Sequence, residues 1–280
     1  MIDQQQKAIA FARLHQGPGA FVIPNPWDAG SAWLLETLGF KALATTSAGL
    51  AFSLAKPDGA NAVTREEALL NARAIVAATS VPVAADLENG YGTTPGACAM
   101  TIAKAAEAGL VGGSIEDSTG HPDDPIFNLG LAAERVSAAA EVARALGFPF
   151  MLTARAENFL HGRRDLTDTI RRLQAFQEAG ADVLFAPGLR TAEDIRAVTS
   201  SVDRPVNVIM GLQGVRLSVS ELSVLGVRRI SVGSSLARAA LGAMLRAAKE
   251  IQQDGTFGYA DQAVPHAEIN DIFARAAVTS

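Results

Sequence analysis

The chain has 280 residues, 49% of them hydrophobic and 19% charged, enough apolar material for a large core and too little charge for a disordered chain. With 24 basic against 29 acidic residues and a net charge of −5, nucleic acid and anionic membrane are poor partners. The one cysteine, Cys98, excludes a disulfide framework and a cysteine-rich zinc site and suits a cytoplasmic protein; no apolar run has membrane-spanning length, and the first residues do not read as a signal peptide.

A helix is expected near 3–15. After it come short apolar or β-branched runs, the strand signature, at Phe21–Ile23, Ala42–Thr45, Val81–Asp86, Gly113–Glu116, Phe150–Arg155, Val183–Ala186, Val206–Ile209 and Ile230–Val232. Helical patterns fall between them at about 28–38, 65–79, 95–108, 130–146, 166–179, 191–201 and 218–224, with 235–253 after the last run. Gly39, Gly109, Gly147, Gly180 and Gly226 stand where a helix stops before the next strand. Eight alternating units in a chain of this size predict an α/β fold, a (β/α)8 TIM barrel over about 20–253. No Pro/Ser-rich linker divides the chain, so 1–280 reads as a single domain. The N-terminal helix and a C-terminal helical extension, 254–280, with a helix near 266–277, lie outside the eight units. Each is open to two readings, a barrel cap or an oligomer contact.

The active site of such a barrel lies at the C-terminal ends of its strands. Here those ends are acidic: Asp86-Leu87-Glu88-Asn89-Gly90-Tyr91-Gly92 after the third strand, Glu116-Asp117 after the fourth, Arg155-Ala156-Glu157-Asn158 after the fifth, and Asp58 in the loop after the second. Strand alternation puts Asp86 and Glu88 on one side, and Glu116 arrives from the neighbouring strand. Convergent carboxylates repel one another unless protonated or paired with a cation, and oxygen-only ligands suit Mg²⁺ or Mn²⁺. The other reading is a solvated rim in which the acids pair with Arg155 and nearby lysines. Arg155 ends an apolar strand, where its guanidinium can clamp a substrate carboxylate or form an internal ion pair with Glu157 or Glu116. Gly90 and Gly92 permit a tight loop close to the acids, or a plain turn.

These residues have a familiar order. Asp86–Gly92 resembles the Asp-x-Asp-x-Gly-Tyr-Gly signature of the isocitrate lyase and phosphoenolpyruvate mutase superfamily, with Glu88 in place of the second aspartate. Thr46-Ser47-Ala48-Gly49-Leu50, Leu54 to Asp58, Ile115-Glu116-Asp117 and Thr153-Ala154-Arg155 follow that pattern in matching order, from Pro24-Asn25 to about Ser235. The resemblance implies a (β/α)8 barrel with its last helix commonly swapped between subunits, hence a homodimer or homotetramer. It also implies bound Mg²⁺ and chemistry on small 2-oxo or 2-hydroxy carboxylates. Asp86 corresponds to the main metal ligand, and Glu88 and Glu116 to ligands acting partly through water. Asp58 corresponds to an aspartate near substrate and metal, Arg155 to the arginine that grips the substrate, and Ser47, Ala48 and Gly49 to the segment whose backbone amides hold a substrate carboxylate.

The chain departs from that pattern after the fourth strand. The lyase branch carries a Lys-Lys/Arg-Cys-Gly-His loop with a proton-donating cysteine, and the mutase branch a longer loop with lysine and asparagine. Here the segment reads Asp117-Ser118-Thr119-Gly120-His121-Pro122-Asp123-Asp124-Pro125-Ile126. Its glycine and prolines suit a mobile lid, and His121 is either the substitute acid or a surface histidine. Cys98 falls on the helix after the third strand, as a small buried thiol. The expected activity is a Mg²⁺-dependent carbon–carbon lyase or decarboxylase working through a pyruvate-like enolate. The alternatives are a phosphonopyruvate-type or oxaloacetate-type C–P/C–C hydrolase, or a catalytically silent metabolite-binding barrel.

Overall fold

The alternation of apolar runs and helical patterns emerges as eight parallel strands in a computed structural model that describes residues 3–59 and 61–275. In chain order the elements are α1 (Gln4–Gln16), β1 (Phe21–Ile23), α2 (Ala29–Thr37), β2 (Leu43–Ala44), α3 (Ser47–Ser53), α4 (Arg65–Ala77), β3 (Val83–Asp86), α5 (Pro95–Glu107), β4 (Gly112–Glu116) and α6 (Leu129–Ala145). There follow β5 (Met151–Arg155), α7 (Leu166–Glu178), β6 (Val183–Phe185), α8 (Ala192–Ser200), β7 (Val206–Ile209), α9 (Val219–Val224), β8 (Arg229–Ser231), α10 (Ser235–Asp254) and α11 (His266–Ala274). The strands pair in the order β1-β8-β7-β6-β5-β4-β3-β2. Between β1 and β2 the Ala44 amide donates to the Pro24 carbonyl at 3.1 Å, so the sheet is a nearly closed barrel of the expected kind.

Each expected strand overlaps an observed one, with small shifts at the ends. The third begins at Val83 rather than Val81, because Pro82 has no N–H to give to a ladder. The last expected helix is observed as α11, and residues 276–277 of it lie outside the described residues. The helix α3 was not signalled by the sequence. Its seven residues, Ser-Ala-Gly-Leu-Ala-Phe-Ser, have no polar face to reveal a 3.6-residue period, and it is started by Thr46, whose Oγ1 accepts from the Gly49 amide at 3.2 Å.

One end of the barrel is stoppered. Phe11 of α1 packs on Ile23, Ala42, Ala84 and Val111 inside the N-terminal mouth. Gly112 makes room for it, since a Cβ there would lie 2.9 Å from the Phe11 ring and 2.8 Å from the Met151 carbonyl oxygen. Gln4 donates to the carbonyls of Ala106 and Leu110, and Lys7 to that of Thr79, tying α1 to the loops that feed β3 and β4. The opposite, C-terminal mouth is left for the polar residues.

Most of the other barrel helices bury an apolar face on the sheet, but α10 does not. Of its 20 residues only Ala237 is buried, and Leu236, Met244, Leu245 and Ile251 are exposed. Further on, α11 returns to α2, where Trp33 Nε1 donates to the Ile272 carbonyl at 2.9 Å. No helix among the described residues is long and apolar enough to cross a membrane.

Candidate active site

Three carboxylates meet one guanidinium at the C-terminal mouth, and a fourth lies beside them. Arg155, the last residue of β5, reaches Asp86 Oδ1 at 2.8 Å, Glu116 Oε2 at 3.2 Å and Glu157 Oε1 at 2.9 Å. The fourth acid, Glu88, stands beside them without a salt bridge of its own among the described residues. The register explains the meeting: Glu116 and Arg155 are directly paired on β4 and β5, and Asp86 pairs with Ser114 one inward-facing position earlier. Phe185 on β6 lies under the guanidinium, its ring centre 5.2 Å from Cζ.

Asp86 is the most heavily bonded of the acids. Its Oδ2 accepts from the Ser47 hydroxyl at 2.9 Å and the Ser47 amide at 3.3 Å, and its own amide donates to Thr45 Oγ1. Burial pushes its pKa up, but Arg155 and the Ser47 donors outweigh that and hold the carboxyl below its usual range. Burial and the charges of Asp86 and Asp58 push Glu88 up to about 7. Burial likewise raises Glu157 to about 7, against the pull of Arg155, and lifts Glu116 well above the carboxylate range. One arginine does not neutralise four buried or half-buried acids, so without another cation the cluster retains protons.

The remaining expected site residues are placed as follows. Asp58 lies exposed on the loop between α3 and α4, and its pKa is raised by the protein packed around its carboxyl and then by Asp86. Ala48 and Gly49 are buried in the first turn of α3; the Gly49 amide is committed to Thr46, and the Ser47 amide to Asp86. His121 is not brought into the cluster. It is exposed at the tip of the loop after β4, with its amide on Thr119 Oγ1, and lines a neighbouring cavity of about 410 Å³ with Asn61, Arg65, Asn89 and Tyr91.

That loop is folded as a hairpin held by bonds of its own. Ser118 bridges Ile126 across it, Thr119 is bonded to Pro125 and Asp124, and the Phe127 amide donates to the Asp117 carbonyl. Beneath it, buried Asp117 accepts from Arg172 Nη1 at 2.9 Å and from the Glu157 amide at 2.8 Å. Arg172 also donates to the Phe127 carbonyl.

Glu157 was named from the sequence only as a partner for Arg155, yet it is a full member of the cluster. The signal was present in the two-residue period, which carries the inward side from Arg155 to Glu157 just past the strand end. Gly90 proves to be required by a tight loop: its φ is +76°, and a Cβ would lie 2.8 Å from Cys98 Sγ.

Among the described residues no three His, Cys, Asp or Glu side chains stand in metal-coordinating geometry, because Arg155 fills the middle of the acids. The donor chemistry nonetheless fits a hard divalent cation, since every side chain offered is a carboxylate and the buried negative charge exceeds the positive.

The sequence family described as phosphoenolpyruvate phosphomutase matches residues 11–252. A crystal structure from Burkholderia cenocepacia J2315, of a protein named only at the level of lyase/mutase, is 59% identical with a TM-score of 0.94, covering 97% of this chain and 96% of its own. The 2,3-dimethylmalate lyase of Eubacterium barkeri is 27% identical over 261 residues, 90% of this chain and 88% of that one. The phosphonopyruvate hydrolase of Variovorax sp. (strain Pal2) is 30% identical over 247 residues, 84% and 83% of the two chains. With a barrel of this topology, acids in this order and a family match across most of its length, the chain belongs to the phosphoenolpyruvate phosphomutase family, and is an enzyme of the isocitrate lyase/phosphoenolpyruvate mutase type.

Proposed function

We propose that the protein is a Mg²⁺-dependent enzyme, with Mn²⁺ able to substitute, that cleaves a carbon–carbon bond of a small 2-oxo or 2-hydroxy carboxylate, or decarboxylates it, through a pyruvate-like enolate. The observation that carries this reading is the excess of acid at the barrel mouth, where Asp86, Glu116 and Glu157 pair with Arg155, Glu88 lies beside them, and no other cation among the described residues forms a salt bridge with these four. Asp86, Glu88 and Glu116 would hold the metal, directly or through water. When bound, the ion supplies Lewis-acid stabilisation for negative charge appearing on the substrate oxygen beside the breaking bond.

The protein's own groups do the rest. Arg155 releases Asp86 and turns its planar fork to a substrate carboxylate, while Glu157 continues to hold its Nε and fix the guanidinium plane. The first turn of α3 brings Ser47 and the backbone at Ala48 and Gly49 to the same mouth. Asp58, at the rim with its proton affinity raised, is the group proposed to exchange a proton between substrate and solvent. Phe185 covers one face of Arg155 and excludes water from it.

The relatives named for 2,3-dimethylmalate and phosphonopyruvate support a small carboxylate as substrate. The uncovered face of α10 supports a homodimer or homotetramer in which the C-terminal helices pack on a neighbouring subunit. A single domain over 1–280 and a cytoplasmic setting complete the reading. The test is a panel of three- to seven-carbon oxo and hydroxy acids with phosphonopyruvate, assayed with Mg²⁺ and with EDTA. Metal-dependent release of pyruvate or another 2-oxo acid without phosphate is expected. Release of phosphate from phosphonopyruvate, or of oxalate from oxaloacetate, selects a hydrolase, and ligand binding without turnover a silent barrel.

A further inference from the structure

We infer that Arg135, on α6, is a positioning residue: it clamps the backbone of the Asp86–Gly92 loop and thereby sets how Glu88 is presented at the barrel mouth. The inference rests on the metal-site reading above for its functional consequence, and on geometry alone for the clamp.

The loop needs an external hold. Glu88 has φ +47°, Gly90 +76° and Tyr91 +56°, and left-handed backbone at a non-glycine residue costs on the order of 1–3 kcal/mol. Such a conformation persists only where the surroundings over-determine it. Here the carbonyls of five successive residues each have a donor. Glu88 receives the Glu116 amide at 3.0 Å, Gly90 the Thr101 hydroxyl at 2.7 Å and Tyr91 Arg65 Nη2 at 3.3 Å. The other two, Asn89 and Gly92, are both served by the guanidinium of Arg135, through Nη2 and through Nη1 at 2.7 Å respectively.

Arg135 is an unusual tenant for its position. It is 1% exposed on the buried face of α6, among Ala132, Val136 and Ala139, and among the described residues no carboxylate forms a salt bridge with it. A buried charge without a counter-ion is costly, and an apolar residue of similar volume would pack the same helix face at no such cost. What an apolar side chain cannot do is donate to two carbonyls three residues apart, and a lysine lacks the rigid fork that spans them. The guanidinium also lies over the Phe127 ring, 4.2 Å from its centre, and the Phe127 amide is bonded to the Asp117 carbonyl at 2.8 Å. One cation therefore braces the acid-bearing loops after β3 and β4 against each other.

The test uses the full chain and compares wild type with Arg135→Met, Arg135→Lys and a core control, Leu173→Ala on α7. Three quantities are read: Mn²⁺ affinity by electron paramagnetic resonance, amide hydrogen exchange at 89–92, and melting temperature. Arg135→Met is expected to weaken Mn²⁺ binding at least tenfold and to speed exchange at 89–92, Arg135→Lys to lie between it and wild type, and Leu173→Ala to lose melting temperature while binding Mn²⁺ as wild type does. Unchanged Mn²⁺ affinity and unchanged loop exchange in Arg135→Met overturn the inference. Should that variant not fold, Arg135→Lys decides by the same two readings. Should wild type bind no Mn²⁺, the metal reading fails and the exchange comparison alone decides whether the clamp exists.

Discussion

Asp86 is where charge, hydrogen bonding and strand position coincide. Its removal leaves Arg155 paired with Glu116 and Glu157, so Asp86→Ala is expected to keep its melting temperature within a few degrees of wild type. Its metal-dependent turnover should fall by more than the roughly 10- to 100-fold typical of residues one step removed from a metal; equal turnover would remove Asp86 from the metal site. Arg155→Lys exchanges a fork for a point charge, and hydrogen bonds to charged groups contribute about 1.5–3 kcal/mol. A rise in KM of roughly 10- to 100-fold is expected, and an unchanged KM would show that the carboxylate is gripped elsewhere. Among the described residues His121 forms no hydrogen bond or salt bridge with the acids, so the pH–rate profile of His121→Gln should superimpose on that of wild type; loss of one limb of the profile would return this histidine to the chemistry. The acids at strand ends were legible in the sequence because strand alternation dictates them. The position of His121 on its loop was not, since the path of a loop depends on anchors such as Thr119 and Phe127 that have no periodic signature.

Among the elements, the strands were legible and the short helix after β2 was not, for the physical reason that periodicity is readable only where one face is polar. The helix α1 was visible as a helix, and a barrel cap was one of its two readings; nothing in Gln-Gln-Gln-Lys-Ala-Ile-Ala-Phe-Ala-Arg-Leu-His-Gln says that Phe11 is the residue that enters the barrel. Near its C-terminal end, His15 is packed edge-on between Phe11 and Phe21, with ring centres 4.8 and 5.0 Å away. Its Nδ1–H donates to the Phe11 carbonyl, which leaves Nε2 to face Arg229 at 3.4 Å. Burial, then the Arg229 charge, lower its pKa to about 3. The unfolded chain binds a proton there near pH 6.5 and the folded one does not, so this residue's contribution to stability is complete above that pH and is lost as pH falls toward 3. Between pH 7 and 5 the loss should be roughly 2 kcal/mol. Urea denaturation of wild type and His15→Gln across that interval checks it: the stability of wild type relative to the variant should fall by about that amount from pH 7 to 5, and a constant difference would mean that His15 is protonated in the fold.

For the whole molecule, the decisive feature is what α10 leaves bare. Met244 is 58% and Leu245 54% exposed, on a helix that in a self-sufficient barrel would cover the sheet. Light scattering should give the mass of a dimer or tetramer, and replacing Met244 and Leu245 together by glutamate should give monomers; an unaltered mass would place the subunit contact elsewhere. The number of βα units and their closure were legible from eight repeats of one pattern. The bare face of α10 was not legible from periodicity, which is the same whether the buried face meets its own barrel or another, and was anticipated only by the swapped last helix that the resemblance implies.

The stopper formed by Phe11 and its neighbours has a kinetic corollary. With that mouth filled by packed side chains, the proposed reaction would bring ion, substrate and both fragments of a cleaved molecule through the C-terminal mouth in turn. Whichever fragment lies deeper, against Arg155 and Asp86, leaves last. That fragment should inhibit competitively against the substrate, and the fragment released first should not, which makes product-inhibition patterns a map of depth within the barrel.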